Sequence, residues 1–433
     1  MRGILLTGAL AAFGAVNACA NANEDAQPVE QDGARDLTDA ASDASDASDG
    51  DAAVVEPPAR ETCSSAGWCL TDLPDEDLTL IDIWPLEGRA FAVAVSASLG
   101  AKVLEWVEAD QHWSYIDDDT QNEDGFGRYV GRIWAPNGNE VYYTVEPGYV
   151  YHGTRDGMAW EWTRTLLVPT IVSPSGQDYS APSLNAPHTA PLGVWGTATG
   201  DVYAWRANTI YRRVSGDGGA PSWVVDYSEG TASQRTAIYS AAASSTGEVW
   251  FGGGSSGTAL CPLLLRKGAD GYQTVFRSVF PKISLGRVGC GPEGGVAALA
   301  REVMPTGGTV NTGVLIDLGV GSDGVVTALW RESTVVRVAP SGGGYDYKAT
   351  GPITRAGTQY EATSIWLQGS DTWFSASGLV RKGTVAGGVA EFDVSSIAMN
   401  GVPHTKPLYR IRGTGPSNLW AVGARYAFHK TMP

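Results

Sequence analysis

Residues 193–213 read GVWGTATGDVYAWRANTIYRR, and residues 409–430 read YRIRGTGPSNLWAVGARYAFHK. Each is an apolar run, a polar corner built on Gly, and a second apolar run ending in an aromatic residue and Ala. Six more stretches share this order: IDIWPLEGRAFAV (81–93), GRIWAPNGNEVYY (131–143), YSAAASSTGEVWF (239–251), RVGCGPEGGVAAL (287–299), IDLGVGSDGVVTA (316–328) and TSIWLQGSDTWFS (363–375). Aromatic and β-branched runs joined at a Gly, Asn, Ser or Asp corner are β-hairpins.

After most hairpins come a third strand and a fourth carrying an aromatic, as in AKVLEWVEADQHWSYI (101–116) and GYVYHGTRDGMAWEW (148–162). The unit is therefore four antiparallel strands in about 46 residues, a period that marks a β-propeller. One such sheet cannot bury both faces; stacking sheets radially around an axis buries them and leaves short, protected edges. The expected fold is all-β: a propeller of four-stranded antiparallel blades.

The WGTATGDVYA stretch (195–204) and the GTGPSNLWAVG stretch (413–423) resemble the propeller repeats of bacterial surface lipoproteins. That resemblance covers nearly all of 66–433 and implies a propeller at an exported location. It implies no particular chemistry.

Hairpin starts lie roughly 46–62 residues apart, except between 287 and 316, where about 30 intervene. That interval is too short for four strands. Seven blades are expected, or eight if 284–313 forms a reduced blade. Only about three strands fit after residue 408, whereas SAGWCLTDLP (65–74) reads as an aromatic fourth strand upstream of the first hairpin. The N-terminal strand is therefore expected to complete the last blade.

Three segments precede or make up this domain: a signal at 1–18, an acidic tether at 19–60 and the propeller at 61–433. Met1 and Arg2 are followed by GILLTGALAAFGAVNA, a secretory signal too short for an ordinary membrane span. It ends in Val16-Asn17-Ala18-Cys19, which resembles the bacterial lipobox. The resemblance implies lipidation of Cys19 and a membrane partner through the lipid anchor, at the bacterial outer membrane or cell surface. Several acyl chains hold stably where one does not.

Residues 21–60 carry eleven acids, two arginines and no aromatic residue. Such a segment cannot bury enough surface to fold. Forty flexible residues span roughly 35 Å and hold the head clear of a membrane.

The net charge of −17 argues against nucleic acid as a partner, since no basic face is visible. Five cysteines are an odd number, and lipidation of Cys19 removes one. Cys63, Cys69, Cys261 and Cys290 are expected as disulfides in an oxidising envelope, in sequence order Cys63–Cys69 and Cys261–Cys290, although three connectivities exist.

The chain has no P-loop, and its five histidines are scattered. No catalytic residue and no obligatory cofactor is assigned. The loop YIDDDTQNEDGFGRY (115–129) gathers Asp117, Asp118, Asp119, Asn122, Glu123 and Asp124, a density that suits a calcium ion or another ligand, although a solvated loop reads the same way. Trp84, Trp134, Trp195 and Trp366 recur at one strand position and are expected to pack between blades. The function expected is a binding or scaffold module for an extracellular protein or glycan. The runner-up is a hydrolase or lyase acting on extracellular polysaccharide, which requires acids, Arg, His and Tyr converging at the channel mouth.

Overall fold

The computed structural model describes residues 62–125, 129–169, 190–215, 220–228, 235–256, 261–279, 291–293, 313–330, 334–350, 362–376, 378–386 and 389–432. The chain divides into two units, Met1–Pro58 and Ala59–Pro433. The signal, the tether, Cys19 and Cys290 lie outside the described residues.

Among the described residues, seven antiparallel sheets form the blades of the second unit, each of four strands, with a fifth added to one. Blade 1 comprises Thr79–Leu86, Arg89–Ser96, Gly100–Val107 and His112–Tyr115. Blade 2 runs Val130–Asn137, Glu140–Val145, Tyr149–Asp156 and Ala159–Leu166, and blade 3 runs Leu192–Gly196, Val202–Arg206, Thr209–Val214 and Ser222–Ser228. Blade 4 is Arg235–Ala243, Val249–Ser256, Cys261–Gly268 and Gly271–Val279. Blade 5 is Leu315–Val320, Val326–Trp330, Thr334–Ser341 and Gly344–Thr350. Blade 6 is Ala362–Gln368, Asp371–Ala376, Leu379–Ala386 and Val389–Ser395. Blade 7 takes Leu408–Gly415, Asn418–Gly423 and Tyr426–Lys430 from the end of the chain and Trp68–Thr71 from its start.

The first strands of consecutive blades touch one another all the way round, from blade 1 through blade 7 and back to blade 1. This closed ring is a seven-bladed β-propeller. The eight-blade alternative is corrected: within 287–299, the described residues Gly291–Glu293 pair with Arg277–Val279 as a fifth strand on the edge of blade 4. Three residues can extend an existing sheet; they cannot build a blade with two buried faces.

Seven apolar clusters make up the described core, and each spans one pair of adjacent blades. Phe91 and Val93 of blade 1 meet Tyr143 and Tyr151 of blade 2, for example. Stability therefore resides between blades, as stacking of two-faced sheets requires.

The opening motif is a turn. Thr197 N donates to Asp201 O at 2.9 Å, and Asp201 N donates to Thr197 Oγ1 at 3.0 Å. Ser244 and Glu248 repeat both bonds at 2.9 and 3.1 Å. Each turn needs one left-handed residue, and Gly200 (φ 93°) and Gly247 (φ 84°) supply it. The Thr/Ser-x-x-Gly-Asp/Glu corner is thus a capped hairpin turn used in successive blades.

The expected closure is present. Trp68–Thr71 pairs with Ala427–Lys430 in antiparallel register. Trp68 is fully buried, meets Trp373 edge-on at 6.3 Å, and its Nε1 donates to Ser395 Oγ at 2.9 Å. The Cys63–Cys69 disulfide staples the segment leading into this strand. Cys261 is also disulfide-bonded, and the Cys290 expected to pair with it lies outside the described residues.

Candidate binding site at the channel mouth

Six of the seven first strands carry a register shift near the same point. It falls between Leu80 and Asp82, Val130 and Ile133, Ile238 and Ser240, Leu315 and Asp317, Ala362 and Ser364, and Leu408 and Arg410. A bulge re-aims the side chain that follows it. At this level the ring carries Asp82, Arg132, Gly193, Ser240, Asp317, Ser364 and Arg410, one per blade. Blade 3 pairs without a shift and contributes the glycine.

These side chains bond across the channel. Arg410, fully buried, places Nε 2.9 Å from Asp82 Oδ1 and Nη1 2.9 Å from Asp317 Oδ2. The Asp82 approach is close enough for an ion pair but is not directed as a hydrogen bond. Arg412 Nη2 meets Asp317 Oδ1 at 2.8 Å. Asp317 Oδ2 also accepts from Ser364 Oγ at 2.6 Å and from Ile365 N at 2.9 Å. Asp82 Oδ2 accepts from Ile133 N at 3.0 Å. Each aspartate therefore ties its own blade to the next.

The two carboxyls are shifted in opposite directions. Burial pushes Asp82 above the usual carboxylate range, despite Arg132 and Arg412. Burial pushes Asp317 up as well, but the Arg412 guanidinium and its hydrogen bonds outweigh it and hold Asp317 below that range.

Two residues further along each strand, on the same face, stand Trp84, Trp134, Trp195, Ala242, Gly319, Trp366 and Arg412. All seven line a cavity of about 680 Å³ that opens at the channel mouth. The four tryptophans do pack between blades, as expected. Trp134 lies against Gly196 of blade 3, where an added Cβ would stand 2.3 Å from the indole, and Trp84 meets Trp134 edge-on at 6.4 Å. They also form the wall of the cavity, a role that strand position alone did not separate from packing. At the position of the tryptophans, blades 4 and 5 carry Ala242 and Gly319, so the rim is asymmetric.

The mouth lies at the end of the ring where the first strand of each blade turns into the second, as Thr197–Gly200 and Ser244–Gly247 in its lining show. The acidic loop after blade 1 follows a fourth strand and lies at the other end. There Lys102 Nζ pairs with Asp117 at 3.2 Å and with Asp119. Asp117 Oδ2 accepts from Val103 N at 2.9 Å, Asn122 Oδ1 accepts from Ala101 N at 2.8 Å, and Asp118 Oδ1 accepts from Thr120 Oγ1 at 2.7 Å. Glu123 pairs with Arg164 at 2.7 Å. No group of three or more metal-ligating side chains occurs among the described residues.

Two histidines stack on aromatic residues of their own blades. His152 stacks on Tyr142 at 4.3 Å with Nε2 3.0 Å from Glu140, and His429 stacks on Trp420 at 4.1 Å with Nε2 3.1 Å from Asn418. The cavity is lined by no histidine or tyrosine among the described residues.

Neither a family model nor a curated protein matches the chain. Solved structures match its fold. A structure of YCF48 bound to D1 peptide covers 85% of this chain and 97% of its own, at 15% identity and a TM-score of 0.51. The Cps50 (Swd1) β-propeller domain of Myceliophteria thermophila covers 84% of this chain and 100% of its own, at 9% identity and a TM-score of 0.50. Likeness at this level establishes the architecture.

Proposed function

We propose that the chain is an exported lipoprotein whose propeller binds a partner protein, receiving a peptide segment of it at the tryptophan-walled mouth of the channel. The observation that carries this reading is the convergence of Trp84, Trp134, Trp195 and Trp366, from four blades, on one cavity of about 680 Å³. Cavities of a few hundred cubic ångströms with aromatic walls and few polar groups suit an inserted side chain or short peptide. Asp82 and Asp317, the carboxylates in the lining, are already engaged by arginines and backbone N–H groups, which favours binding over acid–base catalysis. YCF48, a propeller of similar architecture, is described with a bound peptide. The signal at 1–18 and Cys19 support the envelope location, with 19–60 as tether.

The test is photo-crosslinking in the native envelope. A benzophenone amino acid at Trp195 is expected to capture one envelope protein, while the same probe at Asp118, at the other end of the ring, captures none. Capture of polysaccharide alone at Trp195 moves the reading to a glycan module, and no capture at either place overturns it. Labelling with a radioactive fatty acid that disappears in Cys19→Ala tests the anchor.

A further inference from the structure

Arg132 is more than nine-tenths buried. It reaches from blade 2 across the channel, and its Nη2 donates to Tyr239 O and to Ile316 O, both at 3.2 Å. Its Nη1 has no hydrogen-bond partner. The first of these acceptors is the carbonyl of the residue that precedes Ser240 in the inner strand of blade 4. Ser240 is 3% exposed, and its Oγ also lacks a partner. Both side chains line the cavity. Two buried donors in one cavity with nothing to bond are costly unless an acceptor is supplied, because each has lost its water.

The charge balance at this level has the same sign. Arg132, Arg410 and Arg412 face Asp317 and an Asp82 that burial disfavours as an anion, leaving at least one positive charge in excess. Asp317 is engaged by Arg410, Arg412, Ser364 and Ile365 N, and Asp82 by the Arg410 ion pair and, through Oδ2, by Ile133 N. A buried guanidinium without its counter-charge is unfavourable. A monoanion with two oxygens meets all three needs: one oxygen for Arg132 Nη1, one for Ser240 Oγ, and one negative charge.

Resting on the reading of the mouth as a peptide site, we propose that the channel floor is a carboxylate subsite. The bound segment seats a carboxylate between Arg132 and Ser240 while its apolar part lies against the tryptophans. The carboxylate is an Asp or Glu side chain or a C-terminal carboxyl group of the partner. The geometry gives a planar guanidinium edge one further donor at the base of an aromatic-walled cavity, the arrangement that favours carboxylate over a neutral amide.

The full-length protein tests this with two small probes, N-acetylphenylalanine and its neutral amide, followed by tryptophan quenching and calorimetry. The acid is expected to bind at least about tenfold tighter than the amide. Ser240→Ala removes a hydroxyl with no partner in the fold, so it folds normally and loses several-fold in affinity for the acid alone. Arg132→Gln abolishes the preference, and Trp195→Ala weakens acid and amide together. Peptides ending in a free or amidated C-terminus, with internal Glu or Gln, then separate the two carboxylate sources. Equal binding of acid and amide, unaffected by Ser240→Ala and weakened by Trp195→Ala, overturns the carboxylate subsite but keeps the mouth as a site. Binding of neither probe overturns both.

Discussion

Gly193 of blade 3 and Arg132 of blade 2 share one space. A Cβ on Gly193 would stand 2.7 Å from Arg132 Cγ and 2.2 Å from Trp205 Cζ2. The ring position that holds a side chain in the other six blades is empty in blade 3, and the Arg132 stem fills it on its way across the channel. Gly193→Ala is therefore an overpacking change and is expected to cost about 1–3 kcal/mol. Urea denaturation measures it. Arg132→Ala in the Gly193→Ala background should recover part of the loss, which a double-mutant cycle reads directly.

The two channel aspartates are not equivalent. Asp317 balances Arg410 and Arg412, so Asp317→Asn strands buried positive charge and is expected to cost about 3–5 kcal/mol. Asp82 is disfavoured as an anion by burial, and an Asn oxygen can still accept from Ile133 N. Asp82→Asn is expected to cost less than about 2 kcal/mol. Chemical denaturation of the two variants should show this order; the reverse order would sink the assignment of Asp317 as the central counter-charge.

Ring closure depends on one short strand. Trp68→Ala empties a fully buried site and is expected to cost about 3–5 kcal/mol. Reduction of Cys63–Cys69, or Cys63→Ser, opens only a short loop and should cost about 2 kcal/mol. Thermal melts of the two variants should differ by several degrees.

Acid should loosen the connection between blades 6 and 7. His404 packs edge-on against Tyr426 and Phe428, and burial lowers its pKa to about 4. The unfolded chain takes up that proton near pH 6.5, the folded chain only near 4. Its contribution is thus fully present above pH 6.5 and is lost as the pH falls from 6.5 to 4. A plot of melting temperature against pH should show this slope, and His404→Gln should flatten it.

The acidic loop is occupied by a cation of the chain's own. The Lys102 ammonium pairs with both Asp117 and Asp119, where a calcium ion would compete for the same oxygens. Calcium should leave the melting temperature of the native protein unchanged against chelator. Lys102→Met, which frees the carboxylates, should make it calcium-responsive.

Much of this architecture was legible in the residues. Alternating apolar runs and Gly-bearing corners specify hairpins locally, because strand period and turn conformation depend on neighbours a few residues apart. The repeat of those hairpins named the propeller, and WCLT at 68–71 named the strand that closes it. The blade count was legible only in part, since GPE at 291–293 has hairpin composition but serves as an edge strand.

The site was not legible. Trp84 and Trp366 looked like packing residues, and they are, but whether a packed indole also faces a cavity depends on the neighbouring blade. Asp82, Arg132, Ser240, Asp317 and Arg410 stand in five different strands; only Asp82 and Asp317 share a local Leu-Ile-Asp sequence, and each lies near a one-residue shift that no pattern announces. Sequence by itself determined the four-stranded repeat and its closure, because backbone preferences and alternation are local. Tertiary structure settled seven blades over eight and alone decided the charged channel floor. Only closing the ring brings those five strands around one axis, where burial makes their charges and unpartnered donors matter.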